Sequence, residues 1–132
     1  MLSKLALKTI VAVLVGAAQS AWAEGDCSLS TLAGDFVMTG SGIPTEGSPP
    51  LTSAGVVMFD GNGNLSGRET RSTGGEITRI SYNGTYTLDA DCTGTVTVGA
   101  ANWDMVLSKD GSEGVLIRSD PGSMITRNFK KR

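Results

Sequence analysis

Asp60-Gly61-Asn62-Gly63-Asn64 sets three oxygen-bearing side chains at alternate positions, the spacing with which the first half of an EF-hand loop grips calcium. Such a loop needs Gly at its sixth position and a bidentate Glu at its twelfth, where this chain has Leu65 and Arg71. A cation in place of the chelating acid speaks against a metal, and no metal or other cofactor is expected. The same five residues suit a hairpin instead. A type I turn through Gly61 and Asn62, with Gly63 left-handed as a bulge, would pair Asp60 with Asn64. Phe59 would then face Leu65, Val57 would face Gly67 and Gly55 would face Glu69, so that apolar residues or glycine meet beside the turn.

That register carries a second consequence. If the Phe59 face points inward, Glu69 and Arg71 point inward too, farther from the turn, where buried charge needs partners or a wet cavity. A bulge near Thr70, or a strand end already in water, would turn them outward instead. Glu69 and Arg71, together with the aromatic residues Tyr82, Tyr86 and Trp103, are the candidate ligand-binding residues. None is assigned a catalytic role. The chain contains no His, which removes the Ser-His-Asp triad, the Cys-His dyad and imidazole metal ligation, though carboxylate pairs and Ser-Lys arrangements stay open.

The N-terminus reads as an export signal. Lys4 and Lys8 precede an uncharged apolar run over residues 9–18, and Ala21-Trp22-Ala23 fits the small-x-small pattern of a cleavage site. Residues 1–23 are therefore expected to be a signal peptide and residues 24–132 a single domain, secreted or periplasmic, with no membrane association after cleavage. Beyond the leader, nine Lys and Arg stand against thirteen Asp and Glu, a balance that argues against a nucleic-acid partner. Two cysteines, Cys27 and Cys92, are consistent with export and read most simply as one disulfide, closing a loop of about 65 residues for on the order of 4 kcal/mol. Two buried thiols, or a metal pair short of further ligands, are the alternatives.

The elements that position these residues are strands. Ile80, Tyr82, Gly84, Tyr86 and Leu88 alternate with Ser81, Asn83, Thr85 and Thr87, and Gly94, Val96 and Val98 continue the pattern after a four-residue link. Trp103, Met105 and Leu107 form the next apolar face, while the final segment, 123–129, is more ambiguous. Eight strands are expected, near 35–39, 54–60, 65–72, 77–88, 93–98, 102–108, 114–119 and 123–129, preceded by one helical turn within 26–33, capped by Asp26 or Ser28 and ended by Gly34. A meander of eight strands can close on itself and remove its edges, so the expected fold is all-β, an antiparallel up-and-down barrel, with a two-sheet β-sandwich as the alternative. Residues 40–53, with three prolines and no periodicity, read as a long connection that is either a lid or a surface insertion.

Cys27 with Leu32-Ala33-Gly34, Phe59-Asp60-Gly61 with Gly63-Asn64 and Ser66-Gly67, and Gly84-Thr85-Tyr86 running into Asp91-Cys92-Thr93-Gly94-Thr95 resemble a group of small secreted bacterial proteins compared to the calycin-like, allene oxide cyclase-type barrel. The resemblance covers most of residues 24–132 and implies the barrel and the paired cysteines. Its motifs mark turns and strands and carry no catalytic residue. Non-enzymatic binding of a small apolar ligand in the barrel is the first functional expectation, action on a protein partner through the outer surface the second, and a cyclase- or isomerase-like enzyme the third.

Overall fold

The computed structural model describes residues 26–132. The expected leader lies outside the described residues. Eight antiparallel strands, β1 (Ala33–Ile43), β2 (Leu51–Asp60), β3 (Asn64–Thr73), β4 (Glu76–Leu88), β5 (Thr93–Val98), β6 (Ala101–Leu107), β7 (Glu113–Arg118) and β8 (Met124–Lys131), follow one another around a closed barrel. The ladder between β1 and β8, from Phe36↔Lys131 to Ile43↔Met124, closes it and excludes the sandwich. Each strand turns alternate residues inward, as the two-residue period requires. The inward set includes Phe36 and Met38, Val57 and Phe59, Leu65, Tyr86, Val96, Trp103 and Met105, Leu116, and Ile125 and Phe129. The ambiguous last strand resolves with Ile125, Arg127 and Phe129 inside. No helix among the described residues is long and apolar enough to cross a membrane.

One end of the barrel is filled and plugged. Phe36, Phe59, Phe129 and Tyr86 pack there mostly edge to face, with ring centroids 5.2–5.5 Å apart, the geometry that the ring quadrupole favours. A 3-10 turn, Leu29–Thr31, lies across this end and sends Leu32 fully into the core. The Tyr86 hydroxyl reaches Leu32 O at 2.8 Å and Leu29 O at 3.1 Å. Cys27 and Cys92 form a disulfide that ties the plug to the turn between β4 and β5, reinforced by Cys27 N donating to Ala90 O at 3.2 Å. The helical turn is shorter than expected: Ser28 is its N-cap, Leu32 is already extended, and Gly34 belongs to β1.

Two further expectations are corrected. Half of the connection over 40–53 is strand, because Gly40 and Gly42 pair with Ser53 and Leu51 on one side and with Arg127 and Ile125 on the other. Only residues 44–50 remain as loop. The turn at 60–64 is the expected hairpin, with Phe59↔Leu65, Val57↔Gly67 and Gly55↔Glu69, but it is not type I, since Gly61 as well as Gly63 has positive φ (77° and 98°). The cause is Asp60, whose carboxylate accepts the N–H groups of Asn62 (2.8 Å) and Asn64 (3.0 Å) and the Asn64 amide (3.0 Å), winding the loop around itself.

Candidate functional site

The end opposite the plug is hollow. The β2–β3 register runs without a bulge from Phe59↔Leu65 to Leu51↔Thr73, so Glu69 and Arg71 do point inward. They meet Arg127 of β8, Trp103 of β6 and Arg118 of β7 around a cavity of about 360 Å³. Its floor is apolar, made by Met38, Val57, Phe59, Leu65 and Leu116; Ile125 and Leu51 lie beyond Arg127, beside Gly42 toward the mouth, and the rim includes Pro44, Ala100 and Ala101. The polar band between floor and rim holds Glu69, Arg71, Tyr82, Trp103, Arg118 and Arg127.

Space for this band comes from glycine. A Cβ on Gly40 would stand 2.8 Å from Cγ of Arg127 and 3.1 Å from Oγ of Ser53, so the Arg127 stem lies directly over the β1 backbone. A Cβ on Gly67 would fall about as close to the Tyr82 ring, 2.5 Å from its hydroxyl-bearing carbon. Glycines inside these strands are thus sites where a long side chain crosses the barrel at contact distance.

Glu69 is the centre of the band. It is 7% exposed and Arg127 5%, yet both are ionic, and their pairing explains it: Arg127 Nη1 donates to Glu69 Oε2 at 2.8 Å. Arg71 Nη2 donates to the other carboxylate oxygen at 3.1 Å. Arg127 Nη1 also reaches Ser53 Oγ at 3.0 Å, and its guanidinium lies 5.1 Å over the Trp103 ring. Arg118, 5.4 Å over the same ring, donates through Nε to Asp120 at 2.6 Å. Asp120 in turn accepts both the backbone N–H (2.8 Å) and the side-chain amide (2.9 Å) of Asn102.

Burial alone would raise the Glu69 carboxyl, but the hydrogen bonds and charges of Arg127 and Arg71 outweigh it and hold the group below its ordinary value. The carboxylate is therefore ionised with both oxygens engaged, which suits it to organise cations and not to transfer protons. Tyr82 is pushed the other way, by burial and then by the Glu69 charge, so its phenol stays protonated. Asp120 is held down at about 2, first by the Asn102 side-chain and backbone donors and then by Arg118. Among the described residues no group of three or more Cys, Asp or Glu is arranged to hold a metal ion.

Of the five candidate residues read from sequence, Glu69, Arg71, Tyr82 and Trp103 line this one cavity. Tyr86 does not: it lies on the plugged side, its ring against Phe59 and its hydroxyl on the 3-10 turn. Arg118 and Arg127 escaped the sequence reading. For Arg127 a signal exists, since it sits two residues from both Ile125 and Phe129 on what must be one strand face. Arg118 shares the Leu116 face, but in Val115-Leu116-Ile117 both faces are apolar and the pattern does not choose.

No protein-family model matches the chain, and no curated protein matches it.

Proposed function

We propose that this protein is a small extracytoplasmic binding module that holds a small, partly apolar ligand inside its barrel. The observation that carries the reading is the half-empty barrel: about 360 Å³ of space with an apolar floor and a few convergent polar groups, the size and make-up of small-molecule pockets in general. The export-like N-terminus and the Cys27–Cys92 disulfide support an extracytoplasmic location. The eight-stranded meander and the turn motifs around Asp60 and Asp91 support kinship with the calycin-like, allene oxide cyclase-type barrels. Enzymatic use of the cavity is less well supported, because its carboxylate is committed to two arginines.

A second reading has its own observation. Val37, Val106 and Val115 line a shallow groove on the outside of the barrel, a surface that fits a protein partner. Native mass spectrometry of the protein purified from its own host separates the two. A co-purifying small molecule is expected. A bound protein without a small molecule would favour the outer face, and a bare chain would count against both.

A further inference from the structure

We infer that the free edge of β4, at the open end of the barrel, is a docking site for an extended acidic segment of a partner protein, which adds to it as a further strand; this concerns the barrel wall and does not depend on what the cavity holds. The wall is uneven there. β4 runs for 13 residues and β5 for 6, and the ladder between them stops at Thr85↔Thr97. Beyond that point β4 stays paired with β3 as far as Thr73↔Glu76. Residues 76–84 therefore have a strand neighbour on one side only.

The alternation of hydrogen bonds identifies the groups left over. Tyr86 N donates to Gly63 O and Asp89 N donates to Thr93 O, so even-numbered residues of β4 bond toward β3 and odd-numbered ones toward β5. The N–H and C=O groups of Ile77, Arg79, Ser81 and Asn83 consequently point to where β5 no longer runs. Among the described residues, no backbone group outside the strand ladders bonds to them. Their side chains are exposed, Ile77 by 52%. A row of unpaired groups of this length is a template for one more strand.

Charge selects the occupant. Arg79 stands diagonal to Arg68 on the outer face, through the pairs Thr70↔Arg79 and Arg68↔Ser81. Both arginines are exposed, and neither is in an ion pair among the described residues, where all three pairs are made to Glu69 or Asp120. A strand laid along β4 sets its outward side chains opposite Ile77, Arg79, Ser81 and Asn83, so an acid opposite Arg79 or Ser81 meets cations that no other group balances. Its inward side chains fall beside Thr78, Ile80 and Tyr82 and are best apolar. A second copy of β4 fits poorly, because antiparallel pairing about the middle of the strand sets Arg79 opposite or diagonal to its own copy.

The test is hydrogen exchange followed by NMR on the full chain at low salt, with a capped octapeptide alternating valine and glutamate as the probe. A peptide alternating valine and lysine, and the acidic peptide N-methylated at its glutamates, are the comparisons. In the free protein the amides of Ile77, Arg79, Ser81 and Asn83 are expected to exchange fast, and those of Thr78, Ile80 and Tyr82 slowly. Saturating acidic peptide should slow the first set about tenfold or more and leave the second unchanged. It should bind about tenfold tighter than the lysine peptide, and the methylated peptide should not bind. Arg79→Gln should shrink the preference for acid, and Ser81→Pro, which removes a free N–H and leaves the β3 ladder intact, should weaken the acidic peptide; each variant's melting curve is recorded alongside. Equal binding of the acidic and basic peptides would overturn the assignment of the partner, and binding that leaves the four amides unchanged would overturn that of the edge. Slow exchange of those four in the free protein would mean that the edge is already occupied, by a second copy if exchange quickens on dilution, and would overturn the inference. Binding of no peptide would overturn it too and leave the cavity reading untouched.

Discussion

Replacing Glu69 by Leu leaves Arg127 in a site where it is 5% exposed, without its counter-charge. Removing one member of a buried pair costs roughly 3–5 kcal/mol, because the remaining charge is left uncompensated. Three features push this case to the low end: Ser53 Oγ stays as an acceptor at 3.0 Å, the Trp103 face stays at 5.1 Å, and the cavity admits water. A loss of about 3 kcal/mol is expected, or roughly 12 °C or more in the thermal midpoint for a domain of this size. The double variant Glu69→Leu, Arg127→Met is the decisive comparison. Apolar replacements of both members often leave a protein as stable as before, so the double variant should lie within about 1 kcal/mol of the parent. Thermal and urea unfolding of parent, singles and double measure the coupling. If the double variant loses the sum of the single losses, the two residues act independently and the account of the band is wrong. A pH series adds an internal check. Glu69 is held below its ordinary value of 4.5, so the unfolded chain takes up the proton first as pH falls. Its contribution is full above 4.5 and is lost as pH drops through the lower folded value, so the gap between parent and Glu69→Leu should narrow on acidification.

Tyr86→Phe removes the hydroxyl that reaches Leu32 O at 2.8 Å, and should cost about 1 kcal/mol in urea unfolding with faster hydrogen exchange in the 3-10 turn. Cys27→Ser with Cys92→Ser should cost roughly 2–5 kcal/mol, and a reducing agent added to the parent should reproduce the shift in its melting curve. Gly40→Ala puts a methyl group 2.8 Å from Cγ of Arg127, which must move; a loss of roughly 1–3 kcal/mol is expected, and it should shrink when Arg127 is already Ala, which has no Cγ. The Asp120 carboxyl titrates at about 2, so the Asn102 amide resonance should hold steady through pH 3.8 and shift only as pH falls toward that lower value.

The barrel was legible in the sequence because its signals are local and repeat. Alternation over Ile80–Leu88, turn residues at regular intervals and the Phe59/Leu65 hairpin each follow from a two-residue period and a tight turn. Closure was legible only as the alternative that removes sheet edges, since the β1–β8 ladder joins residues with most of the chain between them. The β1–β2 connection misled because Gly and Pro usually mark loops, whereas Gly40 and Gly42 are strand residues, the first lying under the Arg127 stem and the second against the β8 backbone with φ of 148°. Two of the band's four charged residues, Glu69 and Arg71, were readable from one register argument. Arg127 was not, because its inward direction depends on a strand whose pattern is weak by itself, and its partner lies 58 residues away in the chain.

Stability alone does not account for that band. An eight-stranded barrel has an interior that side chains can just fill, or that can hold one small ligand, and this chain does one at each end. At the plugged end four aromatic rings, Leu32 and a disulfide close the interior. At the other end the inward positions hold glycine on β1, β2 and β3 and guanidinium groups on β3, β7 and β8. Apolar residues at Glu69, Arg71 and Arg127 would pack the same space with no desolvation to offset, and buried ion pairs are seldom more stable than such replacements. The wide half of the barrel therefore carries charges that its folding does not require, set around an opening that its apolar residues leave unfilled. The proposed binding role gives an apolar floor and a charged band a use together.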